Sequence, residues 1–265
     1  VKTPRAASSH PQATPPWPRD DAGICLVRTR RAPRPLRLAA EPESITIDAA
    51  RSALIVVDMQ NDFCRDDGWF GTRGVDLGAI QGVIPRVRQT IDAAHARGMP
   101  VIYLNWGIRA DALDMSAGHL AFGRLFGRTT GYGETYRAGG EPALVTGSWG
   151  AATIDELTPE DDDIVVHKNR FSGFWHNEMD AVLRRLDVTT LLFAGVNTDR
   201  CVMASLQDAT FAGYDGVLID DATATPSSAQ VREAACTIIR TIYGFTTTVD
   251  AFVGAYQDTH YEDSS

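Results

Sequence analysis

From residue 52 onward, short and fully apolar runs alternate with segments of helical periodicity. Residues 53–57, Ala-Leu-Ile-Val-Val, form a continuous apolar run rich in β-branched side chains that ends at Asp58. Such a run reads as a strand buried on both faces of a parallel sheet. Over residues 75–97 the apolar residues Ile80, Val83, Ile84, Val87, Ile91 and Ala94 recur at helical spacing, and Gly98 supplies the stop. Residues 101–104 give a second strand. Residues 106–150 are irregular, Gly-rich and aromatic, and a loop of that length in a compact domain is usually functional.

Regular patterning returns at residues 163–167, a strand that ends at Lys168. Asn177 is placed to cap a helix reaching about residue 187, with Met179, Val182, Leu183 and Leu186 on one face. Residues 189–194 read as a strand, 198–212 as a helix closed by Gly213, and 217–219 as a strand followed by Asp220 and Asp221. Ser227 or Ser228 caps a helix to about residue 240, and residues 246–249 form a last strand. This alternation predicts an α/β fold with a parallel sheet covered on both faces. Ligands in such folds sit beyond the carboxyl ends of the strands, so the residues just after each strand carry the interest.

Composition narrows the function. Of 265 residues, 44% are hydrophobic and 22% charged, as in ordinary soluble domains. No apolar run is long enough for a membrane span. A net charge of -9 argues against nucleic acid as a partner, which needs a basic face. The charge is uneven. Residues 1–40 hold Lys2 and seven arginines against only Asp20 and Asp21, and about half of the 13 prolines. They read as a basic, Pro-rich extension that wraps the domain or a partner subunit. The domain itself is expected over 43–258, with a short tail over 259–265. The four cysteines, 25, 64, 201 and 236, make no CxxC pair, which fits a reducing cytoplasm.

Three residues stand at strand ends. Lys168 is one of only two lysines among 25 Lys and Arg residues. A lysine in so arginine-rich a chain points to a confined site that a planar guanidinium would not fit. Cys201 falls in the first turn of a predicted helix, where the macrodipole and a nearby ammonium should lower the thiol pKa. Asp58 could take the thiol proton and return it to a leaving group. Cys25, Cys64 and Cys236 read as non-catalytic. No HxH, HExxH or Gly-rich phosphate loop occurs, so neither metal nor cofactor is expected. His167 should point away from the face that carries Lys168.

Three ordered motifs carry a resemblance: Ser52-Ala-Leu-Ile-Val-Val-Asp-Met-Gln-Asn-Asp-Phe63, His167-Lys-Asn-Arg-Phe-Ser-Gly-Phe174 and Ala194-Gly-Val-Asn-Thr-Asp-Arg-Cys-Val202. The chain resembles the isochorismatase-like cysteine hydrolase superfamily over roughly residues 43–255. Within it the chain is most similar to ureidoacrylate amidohydrolases, through Glu43-Ser-Ile-Thr-Ile, Gly147-Ser-Trp149 and Lys168-x-Arg-x-Ser-Gly-Phe174. The resemblance implies a three-layer α/β/α fold whose six-stranded parallel sheet has the order 3-2-1-4-5-6. It implies a triad of Asp58, Lys168 and Cys201, a cis peptide at Val196–Asn197, and an oxyanion hole from the backbone N–H groups of Asn197 and Cys201. Asn105-Trp-Gly-Ile-Arg109 stands where nicotinamidases carry metal ligands, and Asn197 and Arg200 depart from the residues usual there.

The leading expectation is therefore a cysteine amidohydrolase that cleaves a C–N bond of a small amide or ureido compound through a thioester. A second reading keeps the chemistry but takes a larger amide or lactam, such as a cationic antibiotic. A third is a non-catalytic binding or scaffold module. A homo-oligomer, dimer or tetramer, is expected. Expected substrate contacts are Gln60, Phe63, Asn105, Trp149, Phe171, Phe174 and Trp175, with Arg73 and Arg109 as candidates to pair with a substrate carboxylate.

Overall fold

The structure, a computed structural model, describes residues 10, 13–28, 31–124, 130–137 and 140–258. Six strands form one parallel sheet: β1 (Ser52–Val57), β2 (Val101–Trp106), β3 (Ile164–Lys168), β4 (Thr190–Val196), β5 (Asp215–Ala224) and β6 (Gly244–Thr247). Their order is β3-β2-β1-β4-β5-β6, as the resemblance implied. Every residue of β1, β2 and β4 is buried, because helices cover the sheet on both faces and leave no side for water.

The principal helices are α1 (Gly78–Ala96), α2 (Met179–Arg185), α3 (Met203–Phe211) and α4 (Ala229–Ile238). Gly98 follows α1 at φ 59°, the left-handed stop that the sequence indicated. Ser228 caps α4 by accepting the Val231 N–H. α2 starts one residue later than Asn177 suggested, with Glu178 at the cap position, although the Asn177 side chain still accepts the Met179 N–H at 3.1 Å.

The chain before β1 departs further from expectation. Pro35–Leu38 pairs antiparallel with Ile45–Asp48 and with Tyr256–Gln257. Leu36 and Leu38 are buried in the core, so a boundary at residue 42 cuts through packed structure. Alternating apolar residues on so short a strand left little signal beside the basic, Pro-rich composition. Upstream, Thr14 hydrogen-bonds the Arg185 carbonyl through both its N–H and its hydroxyl, and the Arg31 guanidinium donates to the Leu186 carbonyl. The tail expected over 259–265 lies outside the described residues.

Sheet register sets up the site. Val57 lies level with Leu104 on one side and Gly195 on the other, and Trp106 lies level with Lys168. The residues that leave β1, β2, β3 and β4 therefore emerge at one edge. Gly195 (φ 106°) is required there, since a Cβ would sit 2.2 Å from the Val57 carbonyl oxygen.

Candidate active site

Asp58 leaves β1 at φ 51°, a left-handed conformation that Asp tolerates better than most residues. Its carboxylate is fully buried. One oxygen accepts from Lys168 Nζ at 2.9 Å and the other from the Trp106 backbone N–H at 3.1 Å. Lys168 ends β3 on the buried side of the strand, while His167 beside it is exposed. The two side chains form a fully buried ion pair. Such a pair repays its desolvation only with good geometry and further hydrogen bonds, and both are present here. The ammonium also lies 4.4 Å from the centroid of the Trp106 ring, a cation–π contact.

Cys201 completes the cluster. The Val196–Asn197 peptide is cis, and Thr198–Val202 forms a π-helical turn before α3 begins. The thiol is within hydrogen-bonding reach of Asp58, and the Trp106 indole N–H donates to its sulfur at 3.4 Å. Asp58, Lys168 and Cys201 are thus brought together, as the strand ends indicated.

The electrostatic expectation for the thiol is corrected. Burial pushes Cys201 up to about 12, the Asp58 charge adds to this, and Lys168 and the Trp106 N–H only partly oppose it. A helix start lowers a thiol pKa where solvent is near. Here burial outweighs it, because the charged form loses its hydration. Burial also raises the Asp58 carboxyl above its usual range, against Lys168 and the hydrogen bonds that hold it down. Burial thus disfavours the charged form of both the thiol and the carboxyl, which makes Asp58 a stronger base toward the thiol proton than a solvent-exposed carboxylate.

A cavity of about 620 Å³ opens on this cluster. Its walls include Phe63, Trp69, Phe70, Trp106, Phe122, Tyr132, Phe171, Asn197, Arg200 and Cys201. Of the expected substrate contacts, Phe63 and Phe171 line it. The other five lie elsewhere. Gln60 is buried behind the wall, where its Oε1 accepts the Trp106 N–H and its Nε2 donates to the Trp106 and Ala151 carbonyls. Asn105 alternates away from Trp106 on β2 and donates to Thr153 at 2.9 Å. Trp149 stacks under Arg137, Phe174 packs on Tyr214, and exposed Trp175 donates to Asp208. Arg73 does line the cavity, with its guanidinium 4.3 Å from the Trp69 ring centroid. Arg109 is exposed and paired with Asp111. A larger cavity, about 950 Å³, lies at the opposite end of the sheet near Thr190 and Asp215, far from this chemistry.

Trp106 is the residue that the sequence alone understates. It touches the thiol, the ammonium and the carboxylate, and it stacks on Tyr132. Trp106→Phe keeps an aromatic face but removes the indole N–H and part of a fully buried ring. We expect kcat/KM to fall at least roughly 10-fold, the cost of one hydrogen bond to a developing charge, with a melting temperature lowered by the volume lost. Steady-state kinetics beside a melting curve checks this.

The family model described as the isochorismatase domain matches residues 52–251. The chain belongs to the isochorismatase family. It is similar to the ureidoacrylate amidohydrolase RutB of Stutzerimonas stutzeri (strain A1501), 36% identical over 225 residues that cover 84% of this chain and 89% of that protein. The RutB of Variovorax paradoxus (strain S110) is 37% identical, covering 85% and 89%. Among solved structures, a cysteine hydrolase from Pseudomonas syringae pv. phaseolicola 1448A superposes with a TM-score of 0.66 at 26% identity, covering 82% of this chain and 95% of that one. As a member of this isochorismatase family the protein is a hydrolase. Among its described residues, no helix is long and apolar enough to cross a membrane, and no group of three His, Cys, Asp or Glu residues could hold a metal ion.

Proposed function

We propose that this chain is a cysteine amidohydrolase that cleaves a C–N bond of a small ureido or amide acid in the cytoplasm. The observation that carries the reading is the buried Asp58–Lys168–Cys201 cluster, whose Cys201 lines an aromatic pocket. The names of the amidohydrolase relatives support the substrate class.

As the thiol sulfur attacks the carbonyl carbon, its proton moves to Asp58. The Lys168 ammonium and the Trp106 N–H hold the charge that develops on sulfur. The backbone N–H groups of Asn197 and Cys201 are assigned to the carbonyl oxygen as it becomes an oxyanion. The C–N bond then breaks, and protonated Asp58 delivers its proton to the leaving nitrogen. The thioester left on Cys201 is hydrolysed by a water that gives its proton to Asp58. When the C–S bond breaks, that proton returns to the sulfur, and the site is restored. With a ureido substrate the thioester is a carbamoyl group, and its hydrolysis yields carbamate, which decays to ammonia and carbon dioxide.

The aromatic walls of this pocket suit a planar ligand. Its two arginines, Arg73 and Arg200, disfavour the alternative of a cationic antibiotic. Ammonia release across ureidoacrylate, N-carbamoyl amino acids, nicotinamide and bulky lactams tests the reading. Turnover of ureidoacrylate-type acids ahead of nicotinamide is expected, and turnover of a bulky polycyclic amide alone would overturn it.

The pH profile follows from Asp58. Only its carboxylate form accepts the thiol proton, and its pKa is raised. Activity should therefore fall as pH drops through a value above the usual carboxylate range of about 4. A kcat/KM profile whose acid limb lies at or below that range would contradict the assignment.

A further inference from the structure

Arg200 precedes the nucleophile and lines the same cavity. Its Nη2 donates to the Ser227 hydroxyl at 3.2 Å, and its Nε lies 3.8 Å from the Asp199 carboxylate. A guanidinium carries five N–H donors, so most of them remain for a ligand. The neighbouring acid is already engaged elsewhere. Asp199 accepts from the Thr225 hydroxyl at 2.5 Å and the Ser227 hydroxyl at 2.8 Å. These bonds hold Asp199 and Ser227 as a brace that orients Arg200 while absorbing much of the acid's hydrogen-bonding capacity.

The charged residues lining the cavity are Arg73, Arg200 and Asp76. Asp76 accepts the N–H of Gly78, the first residue of α1, at 2.9 Å, so it is turned to the start of that helix. Two guanidinium groups thus line the pocket beside the nucleophile, Arg200 keeping Asp199 as its ion-pair partner on Nε. Guanidinium groups match carboxylates in shape and can bind them through two parallel hydrogen bonds.

We propose that Arg200, braced by Asp199 and Ser227 and supported by Arg73, forms an anion subsite that holds the carboxylate of the substrate while its amide or ureido carbonyl meets Cys201. This deepens the function proposed above and rests on Cys201 being the nucleophile of that site. It makes Arg200 a specificity-determining residue.

The test compares Cys201 alkylation by iodoacetate and iodoacetamide, reagents alike in shape that differ in charge. Their rate ratio reads the anion subsite without any substrate, and normalising to iodoacetamide cancels changes in thiol reactivity. In Arg200→Gln the iodoacetate-to-iodoacetamide ratio should fall about 10-fold from the parent value, the loss expected for one charged hydrogen-bonded pair. Arg200→Lys keeps the charge but not the fork, and should fall by less. It also serves should the glutamine variant not fold. KM for a ureido acid should rise by a similar factor with little change in kcat. Equal ratios in the parent and the folded variants would overturn the subsite. A ratio that falls in an enzyme with no ureido-acid turnover would keep the subsite and reject the proposed substrate instead.

Discussion

A Cys201→Ala variant is expected to lose turnover by roughly 10⁴- to 10⁶-fold, the range seen when the nucleophile of a catalytic unit is removed. No other thiol replaces it. Cys64 is buried and does not line the cavity, and Cys236 donates to Asp220 at 3.4 Å. The fold should survive, because the change deletes one sulfur atom from a wall that already borders a cavity. The stability cost should be about 1 kcal/mol, on the scale of one buried methylene. Circular dichroism and a melting curve beside the ammonia assay separate the two effects. Retained turnover in the folded variant would remove Cys201 from the mechanism.

The second large effect concerns Lys168. Lys168→Arg retains the cation but places a planar fork where a single ammonium bonds Asp58 and faces the Trp106 ring. The side chain is fully buried, so the larger group must displace its neighbours. A loss of about 10²- to 10³-fold in kcat/KM is expected, comparable to removing one preorganised stabilising donor. Lys168→Met goes further, since it leaves the Asp58 carboxylate buried without its counter-charge. Breaking such a pair costs about 3–5 kcal/mol, or the carboxyl takes up a proton and ceases to be a base. The acid limb of the activity profile should then move to higher pH. A kcat/KM within a few-fold of the parent in Lys168→Arg would show that the ammonium is not part of the chemistry.

The strand ends that carry the chemistry are legible in the hydrophobic pattern, while the strand order follows from the family resemblance. Asp58 and Lys168 each follow an apolar run, and Cys201 follows another after a short turn. Parallel strands in register must bring such residues to one edge. The rarity of lysine marked Lys168 for the same site. Properties that depend on tertiary packing were not legible. The thiol pKa was read from a helix start, whereas burial under Trp106 and beside Asp58 governs it.

The pocket walls show the same limit. Trp149, Phe174 and Trp175 lie in or beside the motifs, yet they turn to Arg137, to the buried Tyr214 and to Asp208. Trp69, Phe70 and Tyr132 form the wall instead. They come from the short helix Trp69–Thr72 and from the irregular stretch after β2, where no periodicity signals direction. Asp62 draws these pieces together by accepting from the Trp69 N–H, the Tyr136 hydroxyl and the Leu144 N–H. Nothing in the local pattern distinguishes that carboxylate from a surface one.

The most direct test is alkylation followed by peptide mapping in a Cys25→Ser background, because Cys25 is an exposed thiol. Iodoacetamide should abolish activity in step with labelling, the label should map to Cys201, and saturating substrate should slow its incorporation. Label on Cys64 with loss of activity, or full labelling of Cys201 with activity retained, would contradict a nucleophilic role for the thiol.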